Sequence, residues 1–152
     1  MDDGNRRMDD GERRTVVFFS DAAYAGGAER YLYLLASGLD RKRFRSAAVL
    51  CNMTPEHKLS QMMSSSGIET RHVDWRRTLS PGGMRALSLV LKDLSVDIFH
   101  MNLPGPFDSR FSLAAPVARL AGAGAIVSTE HLPMFPSFTK ARILKGLATR
   151  YI

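Results

Sequence analysis

Two adjacent glycines, Gly26 and Gly27, stand between an apolar run and a helix-like pattern in the stretch SDAAYAGGAERYLYLLASGL. The dinucleotide fingerprint is excluded, because it needs a third glycine three residues after the second, and Arg30 occupies that place. A P-loop is excluded as well, because no Gly-Lys-Ser/Thr follows. Two interpretations stay open. The glycines make a tight turn, or they let an anion approach the exposed amides at a helix N-terminus.

Three polar residues, His100, Asn102 and His131, lie at or near the ends of two other apolar segments, VDIFHMN and GAIVSTEH. A lone histidine within a strand is more often packed than catalytic, so Asn102, which is nearer the strand's end, is a better binding candidate than His100. His131 directly follows a strand, where it could orient a hydroxyl group or stabilise developing charge. The alternative for His131 is a helix cap or a buried hydrogen bond.

No nucleophile triad, metal cluster or close pair of carboxylates is visible in the sequence. The runs HVD and TEH are too short and unsupported to count as metal sites. We therefore expect neither a metal nor a cofactor.

The elements that must position these residues alternate between strand and helix along the whole chain. Apolar runs predict strands at residues 15–20, 45–51, 68–73, 96–101 and 124–130. Helical periodicity predicts helices at 28–39, 55–67, 82–94, 108–122 and 139–150. This order predicts an α/β, Rossmann-like parallel sheet with helices on both faces, and the polar 68–73 strand is expected near an edge. Ligands then bind at the carboxyl ends of the strands, near the switch in strand order.

Length, composition and cysteine count limit the class of protein to which the chain can belong. A chain of 152 residues that is 45% hydrophobic and 24% charged fits one globular domain. Its single cysteine, Cys51, excludes an internal disulfide and favours a reducing, intracellular location. Residues 1–14 lack the apolar core of a signal peptide, and we interpret them as a disordered lead.

The net charge of +6 raises the question of an anionic partner. Because no zinc-finger or RNA-binding motif accompanies the charge, we predict no nucleic-acid binding. The basic helix at 139–150 and the loop HVDWRRTLSPGG could meet an anionic membrane surface. A solvated helix face is the alternative.

Three motifs together resemble a known family. GGAERYLYLLASGL after an apolar first strand, DIFHMN at the fourth strand and IVSTEH at the fifth resemble the N-terminal domain of family 4 glycosyltransferases of the GT-B fold. The resemblance runs from about Thr15 to the end, so the domain is placed at 15–152, the N-terminal half of a GT-B fold.

The resemblance implies a retaining, hexosyltransferase-type transfer of a sugar from a nucleotide-sugar donor to a glycan or lipid-linked acceptor. It implies that Gly26 and Gly27 approach the donor diphosphate, that His131 lines the cleft at the reacting sugar as the catalytic residue, and that Asn102 contacts the acceptor. A cytoplasmic protein, peripheral on the inner face of the membrane, is the expected setting for polysaccharide biosynthesis of this kind.

The resemblance also implies that the sequence stops before the C-terminal donor-binding domain, which must be supplied in cis or in trans. We therefore expect the 152 residues alone to be inactive. Two alternatives stay open: a non-catalytic Rossmann-like binding module or partner subunit, and one half of a nucleotide-sugar epimerase relying on Asp21 and Glu130.

Overall fold

The computed structural model describes residues 13–21, 26–77, 79–103, 113–131 and 143. These residues form five strands: β1 (Arg14–Ser20), β2 (Phe44–Cys51), β3 (Glu69–Val73), β4 (Ile98–Leu103) and β5 (Ala125–Glu130). They also form four helices: α1 (Gly27–Gly38), α2 (Lys58–Ser65), α3 (Pro81–Asp93) and α4 (Ala114–Ala121).

The strands form one parallel sheet in the order β3-β2-β1-β4-β5. The chain builds outward from β1 to β3, crosses back through α3, and then builds outward on the other side through β4 and β5. The strand order therefore reverses between β1 and β4, which is the switch point where such sheets bind ligands. The predicted Rossmann-like α/β fold is confirmed, and β3 lies at the edge as expected.

Strand β1 is buried on both faces of the sheet. Phe18 packs with Leu32 of α1 in a core on one face of the sheet, while Phe19 packs with Leu87 of α3 in a core on the other face. Both phenylalanines are almost fully buried. Since both faces of β1 are covered, every residue of the TVVFFS run can be apolar or small, as central parallel strands require.

The predicted bounds of the fourth strand were wrong. The fourth strand was placed at 96–101, but β4 spans Ile98–Leu103. The preceding Asp97 belongs to the turn, where its carboxylate accepts a hydrogen bond from Thr15 N at 2.7 Å. Asn102 consequently lies inside the strand instead of in the loop after it, and it is buried.

The second helix starts later than the proline at residue 55 suggested. Its cap is His57, whose Nδ1 atom accepts a hydrogen bond from Leu59 N at 3.2 Å, so α2 begins at Lys58. The helix ends at Ser65, shortly before Gly67, which adopts a positive φ of 72°.

The fourth helix was predicted at 108–122, and its described part is Ala114–Ala121. Pro116 lies in the first turn of the described helix, where a missing amide proton costs least. Residues 108–112 and, apart from Ile143, the predicted helix at 139–150 lie outside the described residues.

Candidate functional site

The two glycines lie at the start of α1, at the carboxyl end of β1. Gly26 caps the helix with an extended backbone, at φ −115° and ψ −156°, and Gly27 is its first residue. Among the described residues, a Cβ atom on Gly27 would meet nothing within 4 Å, whereas one on Gly26 would lie 3.2 Å from Glu29 Oε2. Neither position needs glycine for its backbone conformation. The missing side chain at Gly26 therefore lets Glu29 approach the helix start, and only at Gly27 do the described residues leave room for a ligand.

Glu29 occupies part of the proposed anion site. Its buried carboxylate accepts a hydrogen bond from Gly26 N at 2.7 Å. The first helical bond runs from Arg30 N to Gly26 O at 3.1 Å, so the amides of residues 27–29 precede the intrahelical ladder. The Glu29 carboxylate therefore already satisfies the amide of Gly26, which leaves the amide of Gly27 as the next backbone donor at the start of the helix.

His131 and Asn102 come together at the neighbouring ends of β5 and β4. His131 Nε2 lies 2.6 Å from Asn102 Oδ1, and His131 N donates to Leu103 O at 3.2 Å. The register pairs Asn102 with Thr129, so His131, two residues further along, projects from the same face. Asn102 is only 3% exposed, whereas His131 is partly exposed. The imidazole is therefore fixed to the sheet on one side and accessible on another.

Tyr31 is a candidate site residue that the sequence analysis did not identify. Its ring is 43% exposed and meets the His131 ring edge-on, with the centroids 5.5 Å apart and the planes at 74°. Tyr31 follows Gly27 by four residues, which places both on one face of the helix. That spacing is the signal that could have identified it.

His100 forms a second polar pair deeper in the same face. Its Nε2 atom lies 2.8 Å from Thr129 Oγ1, and the Phe18 ring contacts it at a centroid distance of 5.4 Å. Burial lowers the pKa of His100, and the nearby charge of His131 lowers it to a lesser extent. His100 is thus a buried, neutral, hydrogen-bonded histidine near neutral pH, which agrees with its assignment as the weaker candidate.

An apolar groove of about 270 Å³ runs along this face between α1 and the outer strands. Tyr31 and His100 line it together with Leu35, Ile98 and Val127. Among the described helices, α1 packs against β1 and β2, α2 packs against β3, and the groove lies beside α1 on the side of β4 and β5.

The two carboxylates of the epimerase alternative lie at the ends of strands that are not neighbours in the sheet. Asp21 follows β1 and Glu130 ends β5, and β4 lies between these strands. At about 4.8 Å per strand, their backbones are roughly 10 Å apart. Among the described residues, no group of three histidine, cysteine, aspartate or glutamate side chains could hold a metal ion. The expectation that neither metal nor cofactor is needed stays a prediction.

In the described part of the chain, no helix has the length and apolar character required to cross a membrane. The HVDWRRTLSPGG loop contributes less to a membrane surface than its sequence suggests. Trp75 is fully buried, its indole Nε1 donates to Arg77 O at 2.8 Å, and Arg76 pairs with Asp74. The basic side chains of the loop are therefore exposed without an aromatic anchor.

Comparison with known proteins places this arrangement in a family. The family model described as Glycosyltransferase Family 4 matches residues 25–151. This range is most of the chain and includes both glycines, Asn102 and His131. The chain therefore belongs to glycosyltransferase family 4, as the three sequence motifs predicted.

A solved structure supports the fold. A glycosyltransferase from Rickettsia africae ESF-5 has a TM-score of 0.52 at 15% identity, over 82% of this chain and 32% of that chain. A U34-tRNA thiolase, NcsA, from Methanococcus maripaludis has a TM-score of only 0.39 at 12% identity, over 93% of this chain and 59% of that one. The second likeness is too low to inform the function.

A curated relative matches part of the sequence. The betaine reductase complex component B subunit beta of Peptoclostridium acidaminophilum is 35% identical over 82 residues, which are 53% of this chain and 18% of that protein. The chain thus spans less than a fifth of this relative and about a third of the Rickettsia glycosyltransferase.

Proposed function

We propose that this chain is the acceptor-side domain of a retaining, hexosyltransferase-type glycosyltransferase. The enzyme transfers a sugar from a nucleotide-sugar donor to a glycan or lipid-linked acceptor, as in polysaccharide biosynthesis. His131 contacts the reacting sugar, Asn102 supports the acceptor side of the cleft, and the amide of Gly27 approaches the donor diphosphate beside Gly26. Family membership supports the class of reaction, and the geometry supports the choice of residues.

The convergence of α1, β4 and β5 at the switch point is the observation that carries the proposal. Asn102 and Tyr31 both contact the His131 ring, one through a hydrogen bond and one through a ring edge. Glycines without side chains begin the helix that carries Tyr31. This combination of a fixed polar ring and an accessible helix N-terminus suits a hydroxyl-rich, phosphate-bearing substrate.

The proposal requires a donor-binding domain in cis or in trans, because the proposed site residues Gly26, Gly27, Asn102 and His131 include no lysine or arginine for the leaving diphosphate. The experiment compares two proteins: the 152-residue chain, and the same chain joined or mixed with a family 4 donor-binding domain from its own genome. Each is incubated with UDP-, GDP- and ADP-sugars and candidate acceptors, and nucleoside diphosphate release is measured.

We expect acceptor-dependent release only when the donor-binding domain is present. Robust transfer by the 152 residues alone would refute the division of labour between two domains. Saturable glycan binding by the 152 residues, with no transfer in either sample, would favour the non-catalytic binding module instead.

Peripheral attachment to the inner face of the membrane is a separate part of the proposal. It is supported by the net charge of +6 and by the exposed Arg76 and Arg77 after β3. Flotation with liposomes tests it: we expect more protein on vesicles with anionic lipid than on neutral ones. Equal, negligible binding to both would reject membrane contact without affecting the assignment of the cleft.

A further inference from the structure

The His131–Asn102 pair defines which nitrogen of the imidazole is available to a ligand. Asn102 is buried, and a buried side-chain carbonyl oxygen needs a hydrogen-bond donor. Its Oδ1 atom lies 2.6 Å from His131 Nε2. Because a carbonyl oxygen can only accept, Nε2 must carry the proton in this pair. The lone pair of the neutral ring then lies on Nδ1, to which no described residue is hydrogen bonded.

Two further contacts limit the movement of the ring. The backbone of His131 is held to β4 by the bond from its N atom to Leu103 O, and the Tyr31 ring supports the imidazole edge-on. The backbone, one ring nitrogen and one ring edge are thus each fixed by a different residue. A histidine that only filled space would not need all three constraints.

We infer that Asn102 is a positioning residue that keeps His131 as the Nε2–H tautomer, supported by Tyr31, so that Nδ1 accepts a hydrogen bond from a hydroxyl group of the substrate. This inference rests on the proposed function and makes it more specific. It selects the first of the two roles open to a histidine here, orientation of a hydroxyl, over stabilisation of developing negative charge, which would need a ring N–H at that position.

The experiment uses the 152-residue chain labelled with ¹⁵N-histidine at pH 8, above the ordinary imidazole pKa of about 6.5. Long-range ¹H–¹⁵N correlation identifies the protonated nitrogen of each of the four histidines, after assignment by His→Gln variants. We expect His131 to show an Nε2–H proton that is observable because the hydrogen bond slows its exchange with water.

Paired variants separate positioning from simple folding. Asn102→Asp keeps an acceptor oxygen and should keep the Nε2–H resonance, whereas Asn102→Leu, of similar size, should lose it. Tyr31→Phe keeps the ring edge and should leave the His131 ring-carbon proton shifts in place, whereas Tyr31→Leu should move them. Backbone amide spectra report whether each variant is folded.

A proton on Nδ1, or a resonance that survives Asn102→Leu in the folded protein, would overturn the inference. If Asn102→Leu fails to fold, the protonated nitrogen in the wild type and in Asn102→Asp still decides the question. None of these readouts depends on sugar transfer. A different tautomer of His131 would therefore not contradict the proposed function. Absence of sugar transfer would likewise not contradict the tautomer assignment.

Discussion

His131 Nε2 and Asn102 Oδ1, 2.6 Å apart, join the carboxyl ends of two neighbouring parallel strands through one side-chain hydrogen bond. Two residues deeper, His100 and Thr129 repeat the arrangement at 2.8 Å. In the outer pair, His131 is partly exposed and contacts Tyr31 while Asn102 is buried, and in the inner pair, His100 packs against Phe18. The inner pair therefore belongs to the packing of the sheet, and the outer pair is the one that we propose for substrate contact.

Gly27→Ala should separate the fold from the function at the start of α1. Because a Cβ there meets no atom of the described residues within 4 Å, we expect the free energy of unfolding to rise by roughly 0.4–1 kcal/mol. Sugar transfer in the two-domain enzyme should fall, since the methyl group occupies the space through which a diphosphate would reach the amide. Urea unfolding and nucleoside diphosphate release measure the two effects.

Gly82→Ala is the matched control for that variant. Gly82 lies in the first turn of α3, where an added Cβ would also meet nothing within 4 Å in the part of the chain that the structure describes. The proposed cleft does not use this helix. The substitution should give a similar gain in stability and leave transfer unchanged. Equal rates of sugar transfer by wild type, Gly27→Ala and Gly82→Ala would show that Gly27 only connects the strand to the helix.

Gly83→Ala should destabilise the protein strongly, although it neighbours the tolerant Gly82. A Cβ at Gly83 would lie 2.7 Å from Cγ of Trp75, and that indole is fully buried and hydrogen bonded to Arg77 O. Because the ring cannot move without losing this bond, we expect a loss of about 1–3 kcal/mol. Urea unfolding of Gly83→Ala beside Gly82→Ala measures it, and equal stabilities would contradict the packing described here.

Acidification should destabilise the fold through His100. Burial lowers the pKa of His100 below its usual value of 6.5, so between those two pKa values the unfolded chain binds more protons than the folded one. The free energy of unfolding therefore falls as the pH drops below 6.5. His100→Gln, which can still hydrogen bond to Thr129, should reduce this fall.

Urea unfolding at pH 7 and pH 5 gives the pH dependence for wild type and variant. His72, whose pKa is also lowered chiefly by burial, should retain its own contribution in both proteins, so a residual fall is expected. Identical pH dependence in the two proteins would show that His100 is not protonated more readily on unfolding.

The fold could be predicted from the sequence because its signals are local and repeated. The apolar TVVFFS run and the spacing of Leu32 and Leu35 each identify one element, and their alternation fixes the architecture. Boundaries were less predictable, because they depend on side chains such as Asp97 and His57 that bond to backbone amides. Those bonds leave little trace in hydrophobic periodicity.

The candidate site could be predicted only in part. Asn102 and His131 were identified because both end predicted strands, and parallel strand ends meet at one edge. Their direct contact depends on the β4–β5 register, which periodicity does not give. Tyr31 was missed because an aromatic residue on an amphipathic helix is ordinarily interpreted as core, and the partner that distinguishes it lies 100 residues away in sequence.

The central claim is that His131 faces the reacting sugar of a glycosyltransferase. The most direct test is the rate of sugar transfer by His131→Ala in the two-domain enzyme, with His72→Ala at the opposite edge of the sheet as the matched control. We predict that His131→Ala lowers kcat about 10²-fold or more at an unchanged fold, while His72→Ala stays near wild type. Wild-type turnover by folded His131→Ala would contradict the account.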